Sequence, residues 1–582
     1  MKKWNHIFCM AKSLGVLSMS CVLLFLCGCK AQLGNGLTLC NPVDLSYRFS
    51  LKDSTYREAA DPTMVYFKGE YYLFLSKSGG YFHSVNLVDW DLIVPENLPV
   101  EKYAPTVMEM DGELYFTASL ATDRIYKTPE PKSGKWELVT DSFPMVVADP
   151  MLFYDEVRDK VFMYYGSGAG TPMMSVELDR KTFMPVSAPK KLFYSHADKY
   201  GWEVGGDHNT NYKHVGWMEG AWMTYHDGKY YLQYAVPGTE VKSYCNGVYV
   251  SDNPDGPFVL QPHNPFSYKP EGFVCGFGHG STFQDRFGNY WNISTSTISQ
   301  RHMFERRISL CPVFFDTDGT IYASTAWVDY PFLFPDRKVK SPQELFPGWM
   351  LLNYKKQVET SSSLEGHSSE CVVDEDIRTW WSAETADEGE FLSVDLGKIA
   401  EIYAVQVNFA DQGARAGSLS GSLAYRYLLE VSTDGVEWDI LADKSHNRKD
   451  APHEYIQLRE PEQARYVRLT NVGCPTRNFS VSDFRVFGLM DKPLPQATEV
   501  MSAERNKDNR RRVRLEWAEV PDAIGYNVRF GVQPDKLFHH YIVYGDPGVT
   551  LNVLNADLPY YFAIDSFNEA GITEGKAIKF VP

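Results

Sequence analysis

Apolar and polar residues alternate in five similar stretches between about residues 60 and 300. Each stretch has a strand-like run, an acidic or glycine-containing turn and a second run rich in Tyr and Phe. The five copies start at Pro62, Pro105, Pro150, Ala221 and Ser281. Alternation on both sides of turns such as Lys68-Gly69 is typical of β-hairpins. Hairpins repeated every 40 to 70 residues (roughly), with further strand-like pieces between them, predict a five-bladed β-propeller.

The residue in front of each hairpin adds chemistry to this pattern. These residues stand one or two positions before each copy and are, in order, Asp61, Ala104, Asp149, Glu219 and His279. Because the inner strands of a propeller start around one axis, we expect these side chains to meet at one end of the central channel. Taken singly, each has a simpler interpretation, since Asp-Pro often begins a turn and a lone Glu or His is commonly a surface or packing residue.

Composition narrows the class of partner. The 582 residues carry a net charge of −17, and the densest basic run is the short one at residues 510–514, so we expect no nucleic-acid partner. A chain of this length predicts three or four domains. Aromatic residues make up 14% of the chain. This content suits stacking on sugar rings, and it suits equally well the use of aromatic residues in strands.

The N-terminus predicts export. Lys2 and Lys3 precede a largely apolar run over residues 14–26, and the run ends in Leu26-Cys27-Gly28-Cys29. This tetrapeptide resembles a bacterial lipoprotein signal, which implies lipidation at Cys29 and a place in the cell envelope, at the periplasm or outer membrane. An ordinary cleaved signal and a short membrane helix are the alternatives. No later segment is apolar enough to span a bilayer, so membrane contact is expected through the lipid only.

The remaining cysteines carry no metal motif. Six lie outside the N-terminal segment, and none shows the CxxC spacing of a zinc site. Cys371 and Cys474 lie near the two ends of one predicted domain, and whether they pair is open at this point.

The three carboxylates match the requirements of glycosidic bond cleavage. One carboxyl group must be protonated to give its proton to the leaving oxygen, and a second must be ionised to activate water or attack directly. A third nearby carboxylate raises the pKa of the acid by charge repulsion. Asp61, Asp149 and Glu219 provide these three groups.

The chain resembles glycoside hydrolase family 43 in these motifs. The resemblance covers about residues 50–335 and is carried by Ala60-Asp61-Pro62, Ala148-Asp149-Pro150, Glu219-Gly220-Ala221 and His279-Gly280-Ser281. It implies inversion of configuration, with Asp61 as general base, Asp149 as the residue that tunes and orients, and Glu219 as general acid. It also implies that His279 holds a calcium ion or its water shell. For inversion we expect the Asp61 and Glu219 carboxyls to be roughly 6.5 to 9.5 Å apart.

Further residues are candidates for sugar contact. Arg306 and Arg307 stand at a spacing similar to that of the family's substrate-site arginine, and one of them is expected to reach the substrate. Trp222, Phe82 and Tyr103 are candidate walls of the sugar pocket, with core or rim packing as the alternative. A long polar insertion between Tyr194 and Gly216 contains His208 and His214. It is expected to wall off one side of the pocket, or else to be simple loop variation.

Two smaller modules follow. The segment 374–382 and the runs at 391–397, 432–438 and 464–469 resemble a discoidin (coagulation factor type C) domain, which has a β-sandwich fold. That resemblance implies a loop calcium site at Asp376, Thr379 and Asp483, and either sugar binding or a spacer role. Residues 515–517, 525–528, 561–564 and 568–571 resemble a fibronectin type III module, for which a spacer role is expected.

The predicted organisation is all-β: a five-bladed β-propeller, a discoidin-like β-sandwich and a fibronectin type III-like β-sandwich. The expected boundaries are 1–28 for the lipoprotein signal peptide, 29–49 for a linker, 50–340 for the propeller, 350–488 for the discoidin-like domain and 495–582 for the last module. The predicted function is that of an inverting exo-glycosidase on plant polysaccharide side chains, with α-L-arabinofuranosidase as first choice.

Other functions stay open from the sequence. An exo-β-galactosidase or a β-xylosidase of the same fold, and a non-catalytic glycan-binding protein, are the alternatives. The expected partner is a poly- or oligosaccharide, without an organic cofactor or an obligate protein partner, and with calcium as a possible ion in the propeller centre and the discoidin-like domain.

Overall fold

A computed structural model describes residues 36–213, 215–414 and 422–582 of the chain. Strands dominate these residues, and the helices described are four short 3-10 turns at Pro131–Ser133, Gly201–Glu203, Pro342–Leu345 and Ser369–Val373. None of the described helices has the length and apolarity needed to cross a bilayer. The predicted signal peptide and the lipidation residue Cys29 lie outside the described residues.

After a first short strand, β1 (Thr38–Leu39), three four-stranded antiparallel sheets follow one another along the chain. The first sheet contains β2 (Thr63–Phe67), β3 (Glu70–Phe74), β4 (Tyr81–Ser84) and β5 (Asp91–Ile93). The second contains β6 (Thr106–Met110), β7 (Glu113–Thr117), β8 (Ile125–Thr128) and β9 (Glu137–Thr140). The third contains β10 (Met151–Asp155), β11 (Lys160–Tyr165), β13 (Met173–Leu178) and β14 (Lys190–Phe193), with β12 (Gly168–Ala169) pairing elsewhere.

Two more sheets complete this part of the molecule. In the fourth, β12 pairs with β15 (Trp217–His226), followed by β16 (Lys229–Val236), β17 (Cys245–Ser251) and β18 (Val259–Leu260). The fifth contains β19 (Gly278–Gln284), β20 (Tyr290–Thr297), β21 (Arg306–Phe315) and β22 (Ile321–Ala323). The first long strands contact one another in the order β2, β6, β10, β15, β19 and back to β2. The five sheets therefore close into a ring, which we call the ring below.

The hairpin turns confirm the interpretation of the repeats. In the first sheet Phe67 pairs with Glu70 across Lys68-Gly69, and both turn residues have positive φ, 49° and 88°. The turns at Asp111-Gly112 and Asp227-Gly228 have the same two-residue length and the same sign of φ. Such turns match the right-handed twist of the strands that they join.

A second domain follows the ring. After β23 (Phe332–Leu333), which pairs with β1, an eight-stranded assembly forms in which β31, β27, β30 and β28 are central. Its strands are β24 (Met350–Leu351), β25 (Gln357–Thr360), β26 (Trp381–Ser382), β27 (Phe391–Phe409), β28 (Arg426–Ser432), β29 (Asp439–Asp443), β30 (His453–Gly473) and β31 (Ser480–Met490). Cys371 and Cys474 are unpaired in it.

The C-terminal module has two sheets. Its strands are β32 (Val500–Arg505), β33 (Val513–Trp517), β34 (Gly525–Gly531), β35 (His539–Tyr544), β36 (Gly548–Leu551), β37 (Tyr560–Asn568), β38 (Gly571–Thr573) and β39 (Lys579–Val581). Strands β32, β33 and β36 form one sheet, and the other five form the second. Its core is continuous with that of the third and fourth sheets of the ring, because Trp202 and Tyr234 belong to the same buried cluster as Leu515 and Val553.

The predicted linker over residues 29–49 is wrong for its described part, residues 36–49. The Asn41 amide donates to the carbonyl oxygens of Leu310 and Val328, at 2.8 and 2.7 Å, and its own carbonyl oxygen accepts from Gln406 of the second domain. Tyr47 is buried in the ring. This segment is built into the contact between the ring and the second domain, because its polar groups are satisfied there.

Candidate active site

The start of each ring sheet has an unusual backbone conformation. In each sheet one residue lies in the left-handed region, with φ between 41° and 63°, two positions before the regular pairing of the first hairpin begins. These residues are Asp61, Ala104, Asp149, Gly220 and His279. Four of the five are not glycine, although this region is unfavourable for side chains other than Asn and Asp. Backbone strain of this kind persists where the surrounding structure fixes it.

This geometry corrects one detail of the repeat alignment. The sequence repeat aligns Glu219 with His279, but in the structure Gly220 is the residue of the fourth sheet with the left-handed conformation that His279 has in the fifth. A β-carbon on Gly220 would lie 2.7 Å from Cγ of His279, so only glycine fits there. Glu219 stands one residue earlier and reaches the same region from the neighbouring position.

Hydroxyl groups connect adjacent sheets at this end of the ring. The backbone N–H groups of Asp61, Ala104 and Asp149 donate to the hydroxyls of Thr295, Ser76 and Ser119, at 2.9, 2.8 and 3.1 Å. Ser76 and Ser119 follow the second strand of the preceding sheet, and Thr295 lies near the end of that strand in the fifth sheet. Sequence reasoning missed these residues. A signal was present, because the first two copies of the repeat end in Ser76 and Ser119.

Asp61 lies among groups that favour its ionised form. Its Oδ2 accepts a 2.5 Å hydrogen bond from Ser76, and its Oδ1 lies 3.3 Å from Nδ1 of His279 and 3.6 Å from Nη1 of Arg306. Burial raises the pKa of the Asp61 carboxyl, but His279, Arg306 and the hydrogen bonds outweigh burial and leave the pKa below its usual 3.8.

The surroundings of Asp149 and Glu219 raise the pKa values of their carboxyls instead. One ligand atom from each of Asp149, Glu219 and His279 lies within 4.8 Å of the other two. Burial, followed by the charge of Asp61, raises the pKa of Asp149 to about 7. Burial, followed by the charge of Asp149, raises the pKa of Glu219 to about 7. Because the two carboxyls interact, they titrate as a pair, and the pair retains a proton well above the pH at which free carboxylic acids lose theirs.

Two groups that the sequence did not reveal contact Glu219. The Tyr244 hydroxyl donates to Oε1 of Glu219 at 2.5 Å, and the Ser167 hydroxyl donates to Oε2 at 3.4 Å. Ser167 in turn accepts a 3.0 Å hydrogen bond from the indole N–H of Trp217, a residue that is 47% exposed. An exposed indole beside the carboxyl is a flat apolar surface at the rim of the site.

The side chains of the two adjacent arginines point in different directions. Arg306 faces Asp61 and donates from Nη1 to the Thr239 hydroxyl at 3.1 Å, with its guanidinium 4.7 Å from the centre of the Phe304 ring. Arg307 points away and donates from Nε to Nε2 of His453 in the second domain at 2.7 Å, so Arg306 is the one of the two candidates that lies at the site. Neighbours on a strand point to opposite faces, so only one of the pair can reach the site.

The three aromatic residues predicted to line the sugar pocket lie in different places. Phe82 is buried in the core of the first sheet, and Trp222 packs between sheets, with its indole N–H donating to the carbonyl oxygen of Thr282 at 3.0 Å. Neither prediction is supported, because hydrophobic packing accounts for both side chains. Tyr103 lies at the site. Its ring contacts Phe304 at 5.4 Å, and burial raises its pKa to about 12, with the charges of Glu58, Arg306 and Asp61 also acting on it.

Comparison with known protein families identifies two regions of the chain. Residues 56–321 match the model "Glycosyl hydrolases family 43", and residues 357–482 match the model "F5/8 type C domain". The first region contains Asp61, Asp149, Glu219, His279 and Arg306. Residues 56–321 are a family 43 glycosyl hydrolase domain. The chain is a glycoside hydrolase that acts on glycosidic bonds, and its second domain is an F5/8 type C domain.

Several solved structures are similar to the chain. One described as a glycoside hydrolase is 18% identical and covers 74% of this chain and 97% of its own, with a TM-score of 0.41. An endo-1,4-beta-xylanase from Bacteroides thetaiotaomicron is 19% identical over 48% of this chain and 97% of its own, with a TM-score of 0.38. An alpha-L-arabinanase from Cellvibrio cellulosa is 17% identical over 46% and 96%, with a TM-score of 0.35. Among curated proteins none matches the chain.

The predicted calcium ligands of the F5/8 type C domain have other partners. Asp376 Oδ2 lies 2.9 Å from Nζ of Lys242, a residue of the family 43 domain. The Thr379 hydroxyl donates to Asp374 at 2.7 Å, and Asp483 Oδ2 accepts from the backbone of Glu375. Burial, followed by the charge of Glu375, raises the pKa of Asp483 well above 3.8. The Lys242 ammonium neutralises Asp376, and Thr379 bonds Asp374, so two of the three predicted calcium ligands are engaged by other side chains.

His279 has a partner within the family 43 domain. Its Nδ1 faces Asp61, as described above. Asp149, Glu219 and His279 are close enough to share a metal ion, so the calcium expected at His279 stays a prediction. The arrangement fits a role for His279 in holding Asp61 ionised.

The insertion of the family 43 domain contacts the C-terminal module, and its expected role in walling off the pocket stays a prediction. Its Gly201 N–H donates to the Leu554 carbonyl oxygen at 2.9 Å, and the Asn552 amide donates to the His208 carbonyl oxygen at 3.0 Å. Both partners belong to the C-terminal module. Burial lowers the pKa of His208, which suits a packed, neutral imidazole. His214 lies outside the described residues.

Proposed function

We propose that the chain is an inverting exo-glycosidase that removes single terminal sugars from plant polysaccharide side chains. One observation carries this proposal: the surroundings of Asp61 and Glu219 shift their pKa values in opposite directions, below 3.8 for Asp61 and to about 7 for Glu219. A pair of carboxyls separated in this way provides an ionised base and a protonated acid at the same pH.

Each carboxyl then has one role. Asp61, held ionised by His279 and Arg306, takes a proton from the attacking water. Glu219 gives its proton to the leaving glycosidic oxygen and recovers one in the next cycle. Asp149 does not transfer a proton in this scheme. Its charge raises the pKa of Glu219, and the Ser119 hydroxyl fixes its position by donating to Oδ1 at 3.2 Å.

The surroundings of the carboxyls suit a single sugar ring. Asp61 and Asp149 are buried, and the Tyr103 and Phe304 rings stand beside Arg306. The Arg306 Nε is buried and has no hydrogen-bond partner among the described residues. A buried donor without a partner is costly, and a sugar hydroxyl would satisfy it. These features support removal of a terminal unit rather than cleavage within a chain.

We propose α-L-arabinofuranosides as the substrates. This choice follows the preference for furanose and pentose sugars that the family resemblance implies. The exo-β-galactosidase and β-xylosidase functions use the same carboxylates and are distinguished only by assay. Retention of all three carboxylates favours turnover over glycan binding alone.

The experiment has two parts. The full-length protein is incubated with nitrophenyl α-L-arabinofuranoside, β-D-xyloside and β-D-galactoside, and nitrophenol release identifies the sugar. Proton NMR of the first product anomer then determines the stereochemical outcome. Release of arabinose of inverted configuration supports the proposal, and retention would contradict the assigned base. No release from any of the three would favour a binding protein.

A second variant tests the base. Asp61→Asn is expected to lose at least about a thousandfold in kcat, since general base catalysis by a positioned carboxylate contributes about 10² to 10⁴-fold and Asp61 also orients the water. Added azide, a small anion that needs no base, is expected to restore product formation as the glycosyl azide. Wild-type rates in Asp61→Asn would exclude the assigned role.

We also propose the remaining parts of the architecture. The closed ring of five sheets supports a five-bladed β-propeller, and the two sheets of the C-terminal module support a fibronectin type III-like sandwich. For location we propose a cell envelope protein that is lipid-anchored through Cys29. In the native host, Cys29→Ala is expected to move the protein from the detergent phase to the aqueous phase of a detergent partition, and an unchanged partition would contradict the anchor.

A further inference from the structure

Arg378 of the F5/8 type C domain is bonded to three separate segments of the family 43 domain. Its Nε donates to the Ile298 carbonyl oxygen at 2.6 Å, and its Nη2 donates to the Glu240 carbonyl oxygen at 3.2 Å. Its Nη1 forms an ion pair with Asp207 of the insertion at 2.7 Å. A planar guanidinium with five fixed donors is suited to such a three-way contact.

The segment that contains Glu240, residues 237–244, contacts both the acid Glu219 and Arg306. It lies between β16 and β17 and carries Glu240, which accepts from Arg378. The Thr239 hydroxyl accepts from Arg306, and the Tyr244 hydroxyl donates to Glu219. The main chain is braced internally, because the Tyr244 N–H donates to the Val241 carbonyl oxygen at 3.0 Å. Movement of this segment would displace the partners of both the acid and the arginine.

The second segment, residues 298–305, leads to the wall of the site. It begins at Ile298, the other carbonyl partner of Arg378, and contains Phe304, which lies against Arg306 and Tyr103. The F5/8 type C domain also contacts the middle of this segment. The Arg301 guanidinium donates to the carbonyl oxygen of Ala410 and lies 4.6 Å from the ring centre of Trp380, and both partners belong to that domain.

A further ion pair strengthens the same contact. Asp376, two residues before Arg378, pairs with Lys242 of the first segment at 2.9 Å. The backbone N–H of Lys242 donates to Asp207 at 2.8 Å, so this hydrogen bond connects the Lys242–Asp376 pair to the Arg378–Asp207 pair. Arg378, Lys242 and Asp376 are all partly or largely shielded from water, which makes the network worth more than exposed pairs.

We infer that Arg378 is a positioning residue of the hydrolase site, by which the F5/8 type C domain holds the segments 237–244 and 298–305 in their active arrangement. The domain is therefore part of the catalytic unit, and its loop 374–380 is occupied by this contact. The inference rests on the proposed roles of Glu219 and Arg306. Arg378 touches neither of them and acts through Tyr244, Thr239 and Phe304.

Activity measurements on full-length variants test the inference. Arg378→Ala is expected to lower kcat/KM for the nitrophenyl substrate at least about tenfold and to move the alkaline limb of the pH profile, because Tyr244 no longer holds Glu219 in place. Arg378→Lys keeps the charge and is expected to recover part of the loss. The control is Arg465→Ala, whose guanidinium bonds Asp395 within the same domain, and it is expected to match the wild type within about twofold.

Hydrogen exchange provides a second readout that needs no turnover. Arg378→Ala is expected to exchange faster than wild type in peptides covering 237–244 and 298–305, and Arg465→Ala is not. A lower melting temperature with an unchanged pH profile, unchanged kcat/KM and unchanged exchange in these peptides would overturn the inference. If the wild type hydrolyses none of the sugars, the proposed function fails, and the exchange result alone decides whether Arg378 holds the two segments.

Discussion

The Tyr244 hydroxyl donates a 2.5 Å hydrogen bond to Oε1 of Glu219, and an almost identical contact joins Tyr234 to Glu203 at 2.6 Å. In both pairs burial raises the pKa of the acid, to about 7 for Glu219 and to about 8 for Glu203. Glu219 lies beside Asp149 and Asp61 at a rim with the exposed Trp217, whereas Glu203 is fully buried and is affected by one carboxylate, that of Asp198. The second pair therefore offers a natural control for the first, since it has the same chemistry without access to substrate.

The pH dependence of the wild type follows from two carboxyls with opposite shifts. Activity needs Asp61 ionised, which its pKa below the usual 3.8 favours, and Glu219 protonated, which its raised pKa of about 7 allows at lower pH. We expect a bell-shaped profile of kcat/KM that falls as pH rises through about 7. A profile still rising at pH 8 would contradict the assignment of Glu219 as the acid.

Removing one hydroxyl should move the alkaline limb. The Tyr244 hydrogen bond favours ionised Glu219, so Tyr244→Phe is expected to raise the pKa of Glu219 and shift the alkaline limb to higher pH by up to about one unit. The measurement is kcat/KM between pH 5 and 9. Tyr234→Phe, which loses the equivalent bond to Glu203, is expected to leave the limb in place, and equal shifts in both variants would contradict this account.

The amide variant of the acid should lose catalysis without losing the fold. Glu219→Gln is expected to lower kcat about 10²- to 10⁴-fold, with a larger loss on natural oligosaccharides than on nitrophenyl glycosides, because nitrophenol leaves without much help from an acid. Steady-state rates on both substrate types measure this. Glu203→Gln, a change at a more deeply buried glutamate, is expected to retain wild-type kcat. A common loss in both would indicate structural damage.

The exposed indole at the rim should contribute to binding of longer substrates. Trp217→Ala is expected to raise KM for arabino-oligosaccharides about three- to tenfold, while kcat for a nitrophenyl glycoside changes little, because stacking involves the sugar beyond the cleaved bond. Tyr225→Ala is the control, since Tyr225 is exposed near the other end of the same strand β15. An identical effect in both variants would exclude a stacking role.

Stability should fall towards alkaline pH, partly through Glu203. Its folded pKa of about 8 lies above the unfolded value of 4.5, so its contribution to stability is complete below pH 4.5 and is lost as pH rises through 8. Glu203→Gln does not titrate, so its melting temperature should fall less than that of wild type between pH 5 and 9. Parallel curves for the two proteins would show that Glu203 does not cause the decline.

The sequence predicted the hairpins well because their signals are local. Alternation and a two-residue turn decide a hairpin within about 15 residues, and the turns at Lys68-Gly69 and Asp111-Gly112 have the expected geometry. The repeated hairpin pattern also predicted that Asp149 and Glu219 lie close together, because they stand at similar places in their repeats. Repetition did not reveal that Gly220, rather than Glu219, takes the left-handed position, since the fourth sheet has a bulge between Glu219 and Trp222.

Other features depend on distant partners and have no local signal. Whether Arg306 or Arg307 faces the site depends on the register between β20 and β21, which apolar alternation does not reveal at a polar strand end. The fully buried Arg57 pairs with Asp411 and Asp450, more than 350 residues later in the chain. Contacts of this kind between domains also involve the segment 36–49, which the sequence predicted as part of a linker.

The hydrogen bond from the Asp61 backbone to Thr295 has a consequence for biosynthesis. The ribosome makes the first catalytic carboxyl more than 230 residues before the hydroxyl that fixes its backbone, and Arg378 emerges later still. A nascent or truncated polypeptide that lacks the fifth sheet therefore contains every acid of the reaction and still cannot orient them. Hydrolytic competence should appear late in translation and in one step, after the last-made elements have docked.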